Sequence, residues 1–229
     1  GEISDTDPER EGVAPLEPRA LVPEAEETAA WVREFLRQSR AILAKEPKAN
    51  LILLRGFSKY TRYPSMEERY GLKSLAIAVY PMYRGISRLI GMDVLKDVNS
   101  IEEEFKALAD NFLKYDYFFV HIKQTDSRGE DGDFEAKVKI IEEVDQYLPQ
   151  ARALRPDVLV VTGDHSTPAR MASHSWHPLP LILHSPWCLV DGVKQFDEVS
   201  CISGVLGRMR AVELMPLVLA HAQRLTKFG

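Results

Sequence analysis

The sequence predicts an α/β protein whose mostly parallel sheet carries helices on both faces. Two observations carry this. Short apolar runs recur at residues 51–54, 75–80, 117–122, 158–161 and 179–183, without the polar alternation of a half-exposed strand. Between several of them, apolar residues fall at helical spacing.

Taken in order, residues 1 to 23 are polar and interrupted by Pro8, Pro15, Pro18 and Pro23, which reads as an extended lead-in outside any core. From Pro23 to about Lys45 a helix is expected, with Trp31, Phe35, Ile42 and Leu43 on its apolar side and Glu24, Glu26 and Glu27 in its first turn, where carboxylates favour the positive end of the dipole. Residues 51–54 form the first strand-like run, stopped by Arg55-Gly56, and residues 75–80 the second. Ile101, Phe105, Leu108 and Phe112 mark one helix face, and Phe134, Val138, Ile141 and Leu148 another. Residues 117–122 are rich in aromatic and β-branched side chains, as strands are. A domain boundary is expected near residue 48, separating residues 1–48 from residues 49–229.

Composition narrows the function. Of 229 residues, 29 are basic and 34 acidic, giving a net charge of −5. With no basic run, nucleic acid and anionic membrane are poor partners. No apolar stretch is long enough to span a bilayer and no charged-then-apolar leader opens the chain, so a soluble cytoplasmic protein is expected. Cys188 and Cys201 form no CxxC pair and read as free thiols.

In open α/β sheets, functional groups gather beyond the carboxyl ends of the strands. The run at 117–122 leads into Thr125-Asp126-Ser127-Arg128-Gly129-Glu130-Asp131-Gly132-Asp133, and the run at 158–161 into Thr162-Gly163-Asp164-His165-Ser166-Thr167-Pro168. His174-Ser175-Trp176-His177-Pro178 precedes the run at 179–183, so four of the six histidines fall between positions 165 and 184. Each group alone has a plainer reading: Asp126 to Asp133 as a solvated turn, Asp164-His165 as a helix cap beside a surface histidine, His174 as an exposed loop residue. Together they offer a mixed carboxylate and imidazole shell suited to manganese, zinc or a similar divalent ion rather than calcium.

The run Phe119-Val120-His121-Ile122-Lys123-Gln124-Thr125-Asp126, continued by Gly132-Asp133-Phe134 and Lys137, resembles a ligand-bearing segment of archaeal-type 2,3-bisphosphoglycerate-independent phosphoglycerate mutases, which belong to the alkaline phosphatase superfamily. Thr162 to Pro168 looks like that family's Asp-His ligand pair, and His174-Ser175 with Pro178-Leu179-Pro180 like its last histidine ligand. The flanking runs Ile3 to Pro8, Arg55-Gly56, Tyr70-Gly71-Leu72-Lys73, Gly91-Met92 and Gly204 to Arg208 agree, so the resemblance covers essentially the whole chain.

The resemblance implies an incomplete alkaline phosphatase-like fold. Residues 1–48 would be the end of an inserted substrate (cap) domain with a linker helix, and residues 49–229 the C-terminal part of a metal-binding domain. It implies two divalent ions (Mn, Zn, Co or Mg), no 2,3-bisphosphoglycerate, and interconversion of 3-phosphoglycerate and 2-phosphoglycerate in glycolysis through a phosphorylated serine. Asp126 and His174 would bind one ion and Asp164 and His165 the other. Glu130 stands where the family has histidine; it can still bind a metal, but favours a harder ion. The nucleophilic serine and one further Asp ligand belong to a part of the family's sequence that precedes Gly1, so no catalytic residue is assigned and this segment by itself is expected to be inactive. Ser166 reads as a loop hydroxyl. Arg55, Lys73 and Lys123 are the candidates for the substrate's phosphate and carboxylate. Two other readings fit the same residues: another phosphomutase or phosphatase of the superfamily, or a catalytically dead relative that binds a metabolite or a partner.

Overall fold

Strand β1, Ser74–Ala78, is buried along its whole length at the centre of a three-stranded sheet in the computed structural model, which describes residues 2–225. The ends of the two expected domains, Gly1 and residues 226–229, lie outside the described residues. β2 (Asp93–Val94) and β3 (Tyr117–His121) flank β1, and both pairings are parallel. Alternation along the strands sorts side chains to two faces. Leu75 and Ile77 of β1, with Phe118 and Val120 of β3, face a core that includes Ile101, Phe105, Leu108 and Ala151. Ala76, with Tyr117 and Phe119, faces Met66, Leu72, Met92 and Leu219.

The helices that supply these layers have local causes. Ahead of β1, α2 (Met66–Tyr70) is closed by a capping box between Ser65 and Glu68 and ends on Gly71 in the left-handed region. Pro81 opens α3 (Pro81–Leu89), where its missing N–H costs nothing. Ser100 caps α4 (Ile101–Asn111), accepting from the Glu103 N–H. After β3 come α5 (Gln124–Glu130) and α6 (Phe134–Ala153), the latter capped by Asp133 through the Ala136 N–H. β4 (Leu159–Val161) and β5 (Ile182–His184) follow, then α7 (Leu214–His221), whose Leu219 covers the second sheet face. No helix among the described residues is long and apolar enough to cross a membrane.

The chain divides into two units, Gly1–Arg62 and Tyr63–Gly229. In the first, the helix expected after Pro23 is present as α1 (Glu26–Leu43), but a different face is buried. Ala25 and Ala29 pack with Ile3, and Val32 and Phe57 lie against them, while Trp31, Phe35 and Ile42 are exposed. The lead-in is therefore not outside a core: Ile3, Thr6 and Pro18 are buried.

Three expectations about strands are corrected. Residues 51–54 form no strand, because Leu54 is used within the first unit: its carbonyl accepts from the Thr6 N–H at 2.9 Å and its N–H donates to Thr6 Oγ1 at 2.7 Å. That pairing ties Leu54 into the first unit, Gly1–Arg62. The run at 179–183 enters a strand only at Ile182, since Pro178 and Pro180 can donate to no ladder. β4 and β5 pair antiparallel, as a two-stranded ribbon separate from the parallel sheet. No crossover helix lies between them; the connecting segment turns back on itself through the Ser166–Ser175 bridge, and a direct return gives antiparallel pairing.

The core holds one anomaly. Glu104 lies on the same α4 stripe as Ile101, Phe105 and Leu108 and is 0% exposed, with no hydrogen-bond partner for either carboxyl oxygen among the described residues. Burial pushes its pKa up to about 8. An acid whose folded pKa is raised binds its proton more tightly folded than unfolded, so stability falls as pH rises from about 4.5 to about 8. Glu104→Gln is expected to raise the melting temperature at pH 8 and leave it nearly unchanged at pH 5; equal shifts at both values would show that Glu104 is not protonated in the native state.

Candidate metal centre

Three segments meet beyond the carboxyl end of β3. The first is α5, where Asp126 and Glu130, four residues apart, share one side of the helix. The second is the loop after β4 that carries Asp164, His165 and Thr167, and the third is the return segment with His174. The Ser175 N–H donates to the Ser166 carbonyl at 2.8 Å and fixes the third segment against the second.

Their side chains converge. One ligand atom each from Asp126, His165 and His174 can be chosen so that all lie within 4.8 Å of one another. His174 Nε2 lies 3.5 Å from Asp126 Oδ1 and 3.4 Å from Glu130 Oε1. His165 and His174 approach with ring centroids 4.0 Å apart. Ligands about 2.1 Å from a tetrahedral ion are separated by about 3.4 Å, so this donor set fits a transition-series divalent cation. Of the remaining histidines in that part of the chain, His177 Nδ1 is engaged by Ser175 Oγ at 2.8 Å, and His184 lies on β5.

His165 stands between the two pairs that the resemblance implied, with Nδ1 3.7 Å from Asp126 Oδ1 and Nε2 3.6 Å from Asp164 Oδ2. His165 joins Asp126 and His174, whereas the Asp164 carboxylate is turned to the Tyr83 hydroxyl and accepts the His165 N–H at 3.0 Å. His165 Nε2 remains 3.6 Å from Asp164 Oδ2, so Asp164 borders the cluster.

Asp126 is the best-held group. Its burial works against ionisation, but hydrogen bonds from Lys123 and from Thr167 outweigh it and hold the carboxyl below the usual range. Lys123 forms an ion pair with Asp126, lies 3.9 Å from Glu130 Oε2, and has its ammonium 4.9 Å from the centre of the Tyr80 ring. Partial burial disfavours that ammonium; the two carboxylates prevail and its pKa is raised.

The other two candidate substrate cations have other partners. Lys73 precedes β1, at the amino end of the parallel sheet, where its N–H donates to Asp116 and its ammonium lies over the Tyr115 ring at 4.7 Å. It flanks the amino end of its strand, the end opposite the loops that carry the metal-type ligands. Arg55 belongs to the first unit and pairs with Asp7 at 3.6 Å and Glu9 at 3.7 Å. Asp131 and Asp133, from the same acidic run as Asp126, are structural: one pairs with Arg128 and the other caps α6.

Sequence reasoning missed several neighbours. Tyr83 of α3 stacks on His121 with centroids 3.7 Å apart, and burial, assisted by Lys123, lowers the pKa of His121 to about 4, so its ring is neutral at pH 7. His121 Nδ1 and Gln124 Oε1 are buried without a hydrogen-bond partner among the described residues. Thr167 and Lys137 lie inside motifs named from the sequence, but nothing in their spacing gives them a task; Tyr83 sits on α3, a helix that no periodicity announced.

Residues 38–221 match the family model described as the metalloenzyme superfamily. The chain belongs to that superfamily. Among similar members, proteins named probable 2,3-bisphosphoglycerate-independent phosphoglycerate mutase are 52% identical in Aquifex aeolicus and 46% identical in Thermus thermophilus, each over 99% of this chain. The chain spans 56% and 57% of their respective lengths. Among solved structures, a Pyrococcus horikoshii protein is similar with a TM-score of 0.81 at 27% identity, over 90% of this chain and 60% of that one. The cofactor-independent phosphoglycerate mutase of Thermoplasma acidophilum is similar with a TM-score of 0.64 at 26% identity, over 96% of this chain and 59% of that one. For a metalloenzyme superfamily member, the convergence of Asp126, His165 and His174 has an immediate test. Titration calorimetry with Mn2+ or Zn2+ is expected to show one site of useful affinity. His174→Ala should weaken it by at least about tenfold, and Asp126→Asn by about 100-fold or more, since loss of mere supporting groups already costs 10–100-fold. His177→Ala should leave it unchanged, and equal losses in all three variants would refute the assignment.

Proposed function

We propose that this chain is the C-terminal portion of a cofactor-independent phosphoglycerate mutase that interconverts 3-phosphoglycerate and 2-phosphoglycerate by metal-assisted phosphoryl transfer. The observation that carries the reading is the convergence of Asp126, His165 and His174 from three segments at one end of the sheet. The names and extents of the relatives in Aquifex aeolicus and Thermus thermophilus support the substrate. On this reading the protein works in glycolysis, in the cytoplasm, without 2,3-bisphosphoglycerate. The first unit is the end of a substrate domain, and the second is part of the metal-binding domain.

Asp126, Glu130, His165 and His174 would hold one divalent ion, with manganese a good match to the mixed oxygen and nitrogen donors, and Asp164 would contribute to a second. Such ions supply neutralisation of phosphate oxygens and a lowered pKa for an attacking hydroxyl. The chain's own residues do the rest. Asp126 is kept ionised by Lys123 and Thr167, so it is ready as a donor at neutral pH. Lys123, half enclosed beside Tyr80, offers a fixed ammonium to the phosphate or carboxylate of the substrate. The glutamate at position 130 adds a carboxylate 3.4 Å from His174, which favours a harder ion than a third imidazole would.

The test is conversion of 3-phosphoglycerate to 2-phosphoglycerate, with Mn2+ and without 2,3-bisphosphoglycerate, by a full-length protein carrying this segment. Turnover is expected, with Asp126→Asn lowering kcat/KM by about 1,000-fold and Lys123→Ala acting mainly through KM. Absence of turnover in the intact protein, with Mn2+ bound, would sink the mutase reading while leaving the metal centre standing.

A further inference from the structure

Thr167 occupies a position that the metal reading does not itself explain. It is 3% exposed, and its hydroxyl touches two candidate ligands at once: Oγ1 is 2.5 Å from Asp126 Oδ1 and 3.0 Å from His165 Nδ1. A hydroxyl has a single proton to give. An ionised carboxylate can only accept, and the 2.5 Å separation is that of a charge-assisted O–H···O− bond, so the proton goes to Asp126. The second contact can then be a hydrogen bond only if His165 Nδ1 carries a proton and donates it to the lone pair of Oγ1. His165 Nδ1 is too far from Asp126 Oδ1, at 3.7 Å, to bond there instead. The chain of donors therefore runs His165 to Thr167 to Asp126.

The residue is anchored from behind. Its carbonyl accepts from Lys137 Nζ at 2.6 Å, and the same carbonyl lies against Gly129, where an added Cβ would come within 2.3 Å of the oxygen. Gly129 is on α5 between Asp126 and Glu130, so its lack of a side chain is what lets the β4 loop approach the helix closely enough for the threonine to bridge.

We propose that Thr167 is the positioning residue of this centre: it fixes His165 as the Nδ1–H tautomer, leaving the Nε2 lone pair, 3.6 Å from Asp164 Oδ2, for a divalent cation, and it holds the Asp126 carboxylate with the same hydroxyl. The proposal rests on reading Asp126, His165 and His174 as metal ligands, but its first consequence concerns the metal-free protein. A ligating histidine whose other nitrogen is tied to a hydrogen-bond acceptor has its orientation and tautomer set in advance, and losing such a partner typically costs 10–100-fold in metal affinity.

Nitrogen-15 NMR of the metal-free chain at pH 8, where an imidazole is neutral, reads the tautomer of His165 directly. The wild-type chain and Thr167→Ser should show Nδ1–H, whereas Thr167→Val should shift toward Nε2–H. Calorimetric titration with Zn2+ should show Thr167→Val weaker by 10–100-fold and Thr167→Ser within about threefold of wild type. Because serine keeps the hydroxyl and loses the methyl group, its rescue separates hydrogen bonding from packing. A wild-type His165 in the Nε2–H form overturns the proposal without any variant, as does a folded Thr167→Val with unchanged tautomer and affinity. Failure of the wild-type chain to bind Zn2+ while His165 is Nδ1–H would instead defeat the metal reading, and the positioning role with it, leaving only the hydrogen-bonded order His165, Thr167, Asp126.

Discussion

The carboxylate of Asp126 is the constraint around which the second unit is arranged. It is partly buried, and a buried charge is costly unless it is paired and hydrogen-bonded. Here it is met by an ammonium from Lys123 and a hydroxyl from Thr167, with two imidazoles within 3.7 Å. Each partner comes with a structural consequence. Lys123 needs the turn between β3 and α5; Thr167 needs the loop after β4 to lie against α5; His174 needs the segment that returns through the Ser166–Ser175 bridge. The helix, the loop and the return segment are thus tied to one oxygen-rich point, which is where the sheet's carboxyl ends leave polar groups to collect.

This arrangement explains why a sheet of only three parallel strands is followed by a separate antiparallel ribbon. The 20 residues between β4 and β5 are committed to bringing His165, Thr167 and His174 back over α5. A segment so engaged cannot also form a crossover helix, and without one the next strand returns antiparallel. The geometry of the centre and the topology of the ribbon are consequences of the same loop.

What the sequence disclosed follows from which forces act locally. The apolar runs at 75–80 and 117–122 became β1 and β3 because burial on both faces is a property of the run itself. The helix face at 101–112 was readable through its periodicity; α6 was readable as a helix, but its packed side runs through Ile140, Val144, Tyr147 and Leu148, while Phe134 and Ile141 of the expected face are exposed. The run at 51–54 looked alike but lost its strand to a partner 48 residues away, the Thr6 hydroxyl, and no window of sequence reports that. The buried side of α1 was misjudged because small residues, Ala25 and Ala29, permit closer packing than Trp31 or Ile42, and apolarity ranks them the other way. At the centre, residue types and spacing pointed to Asp126, Glu130, Asp164, His165 and His174, of which Asp126, His165 and His174 converge. Which nitrogen or oxygen meets which depends on Thr167, Lys137 and Gly129, whose contribution is a hydroxyl, a distant cation and a missing Cβ, none of which has a sequence signature.

The central claim is that Asp126, His165 and His174 hold one divalent cation. The most direct measurement is anomalous diffraction from crystals of the chain grown with Zn2+, recorded at the zinc edge. The account predicts a peak about 2.0–2.2 Å from a carboxylate oxygen of Asp126 and from one ring nitrogen of each histidine. A strong peak at His177 or His184 with none at Asp126 would contradict it.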